Sequence, residues 1–367
     1  MTEFRLTDIA QALPASVPFV GPETQERAMA RRFDARLGAN ESVFGPSPSA
    51  VRAMSETSQW MYGDPENHDL RKALSRHLLA QPNSIMIGEG IDGLLAYLVR
   101  LFVAPGDAVV TSDGAYPTFN YHVAGYGGTL HKVPYKADHE DLGALFAKAK
   151  EVDAKLVYLA NPDNPMGTVH TGEAILAAMD DLPSGTLLVL DEAYIEFAGP
   201  EAELPLPFDD PRVIRLRTFS KAYGMAGARV GYAIGHPDLI NAFNKVRNHF
   251  GMNRSAQEGA LAALADQTWL QSVLVRVGAS RNRITKIART CGLKPLMSAT
   301  NFVTIDCGRD TDFAQRVLGE LVAQGVFVRM PFVAPQSRCI RISCGTPADL
   351  DILADVLPRA LRIAEKS

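Results

Sequence analysis

The chain has 367 residues, 47% of them hydrophobic, with 37 Lys plus Arg against 41 Asp plus Glu and a formal net charge of -4. That length accommodates one large domain and a smaller one, each with its own core, and the balanced charge, without a basic block, offers no surface for nucleic acid or an anionic membrane. No run approaches the roughly 20 apolar residues of a membrane span, and Met1 to Leu13 lacks the pattern of a signal peptide. Cys291, Cys307, Cys339 and Cys344 lack metal-ligand spacing, so cytoplasmic residence, reduced thiols and no metal are expected.

In chain order, the first 35 residues carry prolines with weak periodicity, as expected of an arm lying on another surface. His68 to Leu79 has helical apolar spacing, Ser84 to Ile87 reads as a short strand, and Gly90 opens an apolar helix to Val103 that Pro105-Gly106 stops. Asp107 to Thr111 is a strand, followed by a loop at Gly114 to Pro117. The alternation continues with strand Thr129 to Pro134, helix Asp141 to Lys150, strand Lys155 to Ala160, loop Asn161 to Thr168, helix Gly172 to Asp180 and strand Leu187 to Leu190. A further run, Val213 to Leu216, is apolar apart from Arg215.

Short strands that are apolar throughout, alternating with helices, predict an α/β fold with a mostly parallel sheet covered on both faces. From Ser255 to about Arg289 one long helical pattern follows. Strands at Thr300 to Asp306, Val326 to Met330 and Cys339 to Ser343, with helices at Asp312 to Gln324 and Pro347 to Glu365, then predict a smaller α+β unit.

Ligands of parallel sheets bind beyond the carboxyl ends of the strands, where this chain concentrates its polar residues. Lys221, in Thr218-Phe219-Ser220-Lys221, is an amine at a strand end, suited to bond a cofactor aldehyde. Asp191, in Asp191-Glu192-Ala193-Tyr194, could hold a pyridinium nitrogen or merely cap a helix. Glu192 has no evident role. Tyr194 and the amide of Asn164 could donate to a ring oxygen, although Asn161 to Gly167 also reads as a proline-rich turn.

The run Gly88-Glu89-Gly90-Ile91-Asp92-Gly93 before an apolar helix offers free N–H groups to a phosphate, which Ser220 and Arg229 would also contact. Tyr116 could stack on a ring or be a core aromatic. Arg341 lies mid-strand, either facing solvent or turned inward to a substrate carboxylate, with Arg329 as a second cation.

With these motifs in place, the chain resembles the fold-type I pyridoxal-phosphate aminotransferases, most closely the histidinol-phosphate aminotransferase group. The resemblance runs from Ala39-Asn40-Glu41 and Phe44-Gly45-Pro46 through Asn164-Pro165-Met166-Gly167, Asp191 to Tyr194 and Ser220-Lys221 with Arg229, to Arg341. It implies a seven-stranded large domain at 40–285, a small α+β domain at 286–367, and an arm at 1–39 that packs with the small domain or a dimer partner.

It further implies pyridoxal 5'-phosphate with Lys221 as the Schiff-base lysine and Asp191 as the pyridinium partner. Asn164 and Tyr194 would serve the 3'-oxygen, and Tyr116 would be the stacking ring. Gly90, Ile91, Asp92, Ser220 and Arg229 would hold the phosphate, with Tyr62 reaching it from the second subunit of a homodimer. Arg341, Arg329, Asn40 and Phe19 would meet the substrate.

The activity implied is ping-pong transamination between an amino donor, histidinol phosphate or an aromatic amino acid, and a 2-oxo acid such as 2-oxoglutarate. The same scaffold also resembles the threonine-phosphate decarboxylases, which makes a lyase the alternative. Two departures bear on the donor. Phe19 stands where the group commonly has a phosphate-binding tyrosine, and Met166 where it commonly has threonine; Gly63 likewise replaces the proline that usually follows Tyr62.

Overall fold

A computed structural model describes residues 4–15 and 20–366. Twelve strands occur among them: β1 (Ala35–Arg36), β2 (Ile85–Gly88), β3 (Ala108–Ser112), β4 (Thr129–Val133), β5 (Leu156–Ala160), β6 (Leu187–Asp191), β7 (Val213–Thr218), β8 (Gly231–Ile234), β9 (Lys294–Pro295), β10 (Phe302–Asp306), β11 (Val326–Phe327) and β12 (Cys339–Ser343). Seven form one sheet in the order β2-β8-β7-β6-β5-β3-β4. All pairings are parallel except those of β8, which runs against both its neighbours.

β5, β6 and β7 are buried along their whole length. This is why they lack polar–apolar alternation: helices cover both faces. One face packs Leu94, Leu95, Leu98 and Phe119 against Leu156, Tyr158 and Val189, and the other packs Leu145, Phe146 and Ile175 against Val157, Leu159 and Leu188.

A second sheet, β12-β10-β9, is antiparallel, and β1 pairs with β11 in a two-stranded ribbon. The expected architecture is observed: a mostly parallel seven-stranded sheet with helices, accompanied by a smaller α+β unit.

Several expected elements differ in extent. The long helical stretch is two helices, Arg254–Ala265 and Gln267–Thr290. Asp266 breaks it because its carboxylate accepts from the Trp269 amide and caps the second helix, which takes its backbone out of the helical region. The strand expected to Met330 ends at Phe327, with a single bridge, Arg329 to Arg341, beyond. Helix Pro117–Gly125 stood hidden behind the loop reading, since its first turn is a proline and its apolar face is weakly periodic. β8 was also unread, its glycine-flanked four residues being too short to show a period.

Among the described residues no helix is long and apolar enough to cross a membrane, and no group of His, Cys, Asp and Glu could hold a metal ion. All four cysteines are free.

Candidate active site

A cavity of about 320 Å³ opens at the carboxyl ends of β5, β6 and β7, lined by Asn40, Ile91, Asp92, Tyr116, Tyr158, Asn164, Asp191, Tyr194, Ser220, Lys221, Arg229, Arg329 and Arg341 among others. Twelve of the residues singled out in the sequence therefore meet there, although Asn40 and Arg341 stand near opposite ends of the chain. Gly90 lies just behind the wall, Tyr62 lies elsewhere, and Phe19 falls outside the described residues.

Lys221 sits three residues past the end of β7, with Nζ donating to the Asn40 carbonyl at 3.2 Å and lying 5.5 Å from the centre of the Tyr194 ring. Asn40 is 2% exposed and held from every side: its amide donates to Tyr194 Oη (3.1 Å), its backbone N–H to Ser343 Oγ (2.9 Å), and its side-chain oxygen accepts from Ser343 Oγ (2.7 Å). A left-handed backbone, φ 55°, turns it into the cavity. Asn301 donates to the same carbonyl at 3.0 Å.

Asp191 closes β6 and is buried. It accepts from the Tyr158 hydroxyl at 2.7 Å and the Ala193 amide at 3.0 Å, yet burial raises its pKa to about 6. Among the described residues no cation lies within ion-pair distance of it. A buried carboxylate facing a cavity without a cation suits a ligand that brings one.

Glycine shapes the anion side. Gly90 opens helix Gly90–Phe102 at φ +76°, and a Cβ there would lie 2.4 Å from Arg229 Nη2. Gly231 packs against the same turn, where a Cβ would sit 2.8 Å from the Gly90 carbonyl carbon. The helix has no side-chain cap, so its first N–H groups remain available at the positive end of the dipole. Arg229 reaches over them, donating to Ser220 Oγ at 3.2 Å.

The Asp92 carboxylate is turned to partners within the chain. It stands 3.5 Å from Arg229 Nη2 and accepts from the Tyr116 hydroxyl at 3.1 Å, which leaves only its backbone N–H for an anion. Burial, then the Asp92 charge, raises the Tyr116 pKa and keeps that phenol neutral.

Arg341 points from β12 into the cavity. Nη1 donates to Asn164 Oδ1 and Nη2 to the Gly38 carbonyl at 3.2 Å, while the buried Nε has no partner. Burial lowers its pKa to about 10. The guanidinium of its neighbour Arg329 donates to the Val20 carbonyl at 2.6 Å. Among the described residues, these two guanidinium groups beside one cavity have no carboxylate within ion-pair distance.

Asn164 and Tyr194, expected together on one ring oxygen, accept from Arg341 and Asn40, which leaves the Asn164 amide N–H groups and the Tyr194 hydroxyl proton as donors. Tyr62 is 79% exposed and packs on Phe250 with ring centres 5.1 Å apart, away from this cavity.

Three structural contributors carried little sequence signal. Tyr158 looked like one more apolar strand residue, though a phenol in an aliphatic run was a hint. Asp163, beside Asn164, accepts from the Tyr135 hydroxyl and the Met166 amide, both at 2.9 Å, and burial raises its pKa to about 7. Glu192 pairs with Arg217 beneath the sheet at 2.7 Å.

The donor set fits pyridoxal phosphate: an amine for its aldehyde, a buried unpaired carboxylate for its ring nitrogen, and an uncapped helix start with Ser220 and Arg229 for its phosphate.

The model of the family described as aminotransferase class I and II matches residues 35–357. A histidinol-phosphate aminotransferase of Moorella thermoacetica is 32% identical over 336 residues, 90% of this chain and 86% of that protein. The crystal structure of histidinol-phosphate aminotransferase from Sinorhizobium meliloti in complex with pyridoxal-5'-phosphate is 53% identical, covers 99% of both chains and superposes with a TM-score of 0.95. Thermus thermophilus aspartate aminotransferase with maleate, at 20% identity and a TM-score of 0.79 over 98% of this chain and 100% of that one, shares the fold.

Proposed function

The chain belongs to the class I and II aminotransferases, and from that premise we propose that it moves the amino group of histidinol phosphate to 2-oxoglutarate. It is a pyridoxal-phosphate-dependent aminotransferase. The observation that carries the substrate reading is the pair of guanidinium groups, Arg341 and Arg329, that line the cavity beside Lys221 without a carboxylate partner among the described residues. Separate from Ser220 and Arg229, they offer a place for a second anion. The names of the relatives supply the donor.

When bound, pyridoxal phosphate supplies an electron sink for the pair left on the substrate's α-carbon. Asp191 keeps a proton on the ring nitrogen by its negative charge, and Tyr158 and the Ala193 amide hold that carboxylate in place. Lys221 would hold the cofactor's aldehyde. The Lys221 amine, when free, would be the base that carries the substrate's Cα proton.

Asn40 and Tyr194 face Nζ and orient it. Gly90, Ile91 and the Asp92 N–H, with Ser220 and Arg229, would anchor the phosphate, and Tyr116 would offer its face to the ring. Arg341 takes the carboxylate of 2-oxoglutarate or glutamate. The lyase alternative is not favoured, because the relatives named above are aminotransferases.

The active form in this account is a cytoplasmic homodimer. Tyr62, exposed beside the exposed Trp60 and Phe250, is offered to the partner's phosphate site. The arm comprises 1–39, the large domain 40–285 and the small domain 286–367. The test is a spectrophotometric screen of the loaded enzyme against histidinol phosphate, phenylalanine, tyrosine, histidine and glutamate. Histidinol phosphate and glutamate are expected to convert the cofactor to its aminated form; conversion by phenylalanine but not histidinol phosphate would replace the donor.

A further inference from the structure

Asp191 and Glu192 are consecutive residues at the end of β6, so their side chains leave opposite faces of the sheet. Asp191 lines the cavity and Glu192 does not. On β7 the same alternation sends Thr218 to the cavity and Arg217 to the far face. There Arg217 Nε donates to Glu192 Oε2 at 2.7 Å, and Nη2 to Glu203 Oε2 at 2.9 Å. The Arg217 and Glu192 side chains are 7% and 1% exposed.

The pair sits where the two strands part. Asp191 is level with Leu216, and the Glu192 amide donates to the Leu216 carbonyl at 2.8 Å, the last rung between these strands. Beyond it β6 turns toward Tyr194, while β7 runs on to Ser220 and Lys221. On its other side β7 is tied to β8: Thr218 Oγ1 donates to the Val230 carbonyl at 3.1 Å. On the β6 side the ion pair is the side-chain tie at the fork.

A buried ion pair adds little stability that apolar side chains of similar volume would not, but removing one partner leaves an uncompensated charge. Its best-attested use is to fix a register. We propose that Arg217 and Glu192 are positioning residues, a cross-strand clamp on the far face that sets the separation of Asp191 from Lys221. This rests on the reading of those two residues as the ring-nitrogen partner and the aldehyde lysine.

Two variants of the cofactor-loaded chain, Glu192→Gln and the double variant Glu192→Met with Arg217→Met, test it through thermal melting, a pH titration of the visible cofactor absorbance, and kcat and KM for donor and acceptor. Displacement of reacting groups on the order of 1 Å lowers rates by about 100-fold. Glu192→Gln is expected to lower kcat by about 10- to 100-fold, shift the absorbance titration, and leave both KM values within about twofold, since Arg341 and the phosphate site are untouched. The double variant is expected to melt near the parent yet keep the lowered kcat and shifted titration.

Parental kcat and titration in the double variant would overturn the clamp and make the pair packing only. A double variant that no longer folds would make it a requirement of the fold instead, which also overturns it. A parent chain that transaminates nothing defeats the functional reading, while the absorbance titration still reads the clamp.

Discussion

Asp191→Asn separates what the buried carboxylate does for the cofactor from what it does to the fold. Burial raises its pKa from the ordinary 3.8 to about 6, against the two hydrogen bonds from Tyr158 and Ala193. A carboxyl group with a higher pKa in the folded chain than in the unfolded one favours the fold when protonated. Its penalty is therefore absent below pH 3.8, grows as pH rises toward about 6, and is complete above that.

At about 1.36 kcal/mol per pH unit, the full penalty is about 3 kcal/mol. With an unfolding entropy scaled to this length, that corresponds to roughly 4 °C in melting temperature. Asparagine keeps the shape and can still accept from one of the two donors. The cofactor-free variant is expected to melt about 4 °C above the cofactor-free parent at pH 8, the gap closing by pH 4. Pyridoxal phosphate should reverse the order, because only the parent gains an ion pair. Calorimetry across pH checks this; a cofactor-free variant no more stable than the parent at pH 8 would refute the reasoning.

Arg341→Met removes the guanidinium that awaits a carboxylate and is expected to raise KM for 2-oxoglutarate by about 30-fold or more, the loss of a buried charge pair worth at least about 2 kcal/mol; steady-state kinetics would read it. Gly90→Ala puts a methyl group against Arg229 on a left-handed backbone, so titration with pyridoxal phosphate should show affinity weakened by about tenfold and melting a destabilisation above roughly 1 kcal/mol. Phe19→Tyr restores a donor for the substrate phosphate and should raise kcat/KM for histidinol phosphate by about fivefold, one net hydrogen bond; an unchanged value would remove position 19 from the donor site.

The chemistry was legible where function forces unusual residues to strand ends. Asp191 follows an apolar run, and an apolar run that stops at a charge marks both the strand and its working end; Ser220 and Lys221 follow a strand whose apolar residues are interrupted by Arg215 and Arg217. The arrangement among those residues was not legible, because it depends on contacts between distant segments. Asn40 bonding Tyr194, and Arg341 bonding Asn164, are settled by how the C-terminal sheet packs on the large one.

Asp92 shows the same limit. Its spacing places it on the phosphate turn, while its carboxylate turns to Tyr116 and Arg229. Among the elements, the helix at 117–125 and the break at Asp266 escaped periodicity, since one is almost without an apolar face and the other is a single capping contact.

The most direct test of the central claim is a single-turnover absorbance measurement on Lys221→Ala loaded with pyridoxal phosphate and mixed with histidinol phosphate. The account predicts that the cofactor stays bound through Gly90, Ser220 and Arg229, that the band of the lysine-bound cofactor is missing, and that no aminated cofactor forms on the timescale of the parent enzyme. Conversion by the variant at the parental rate would contradict it.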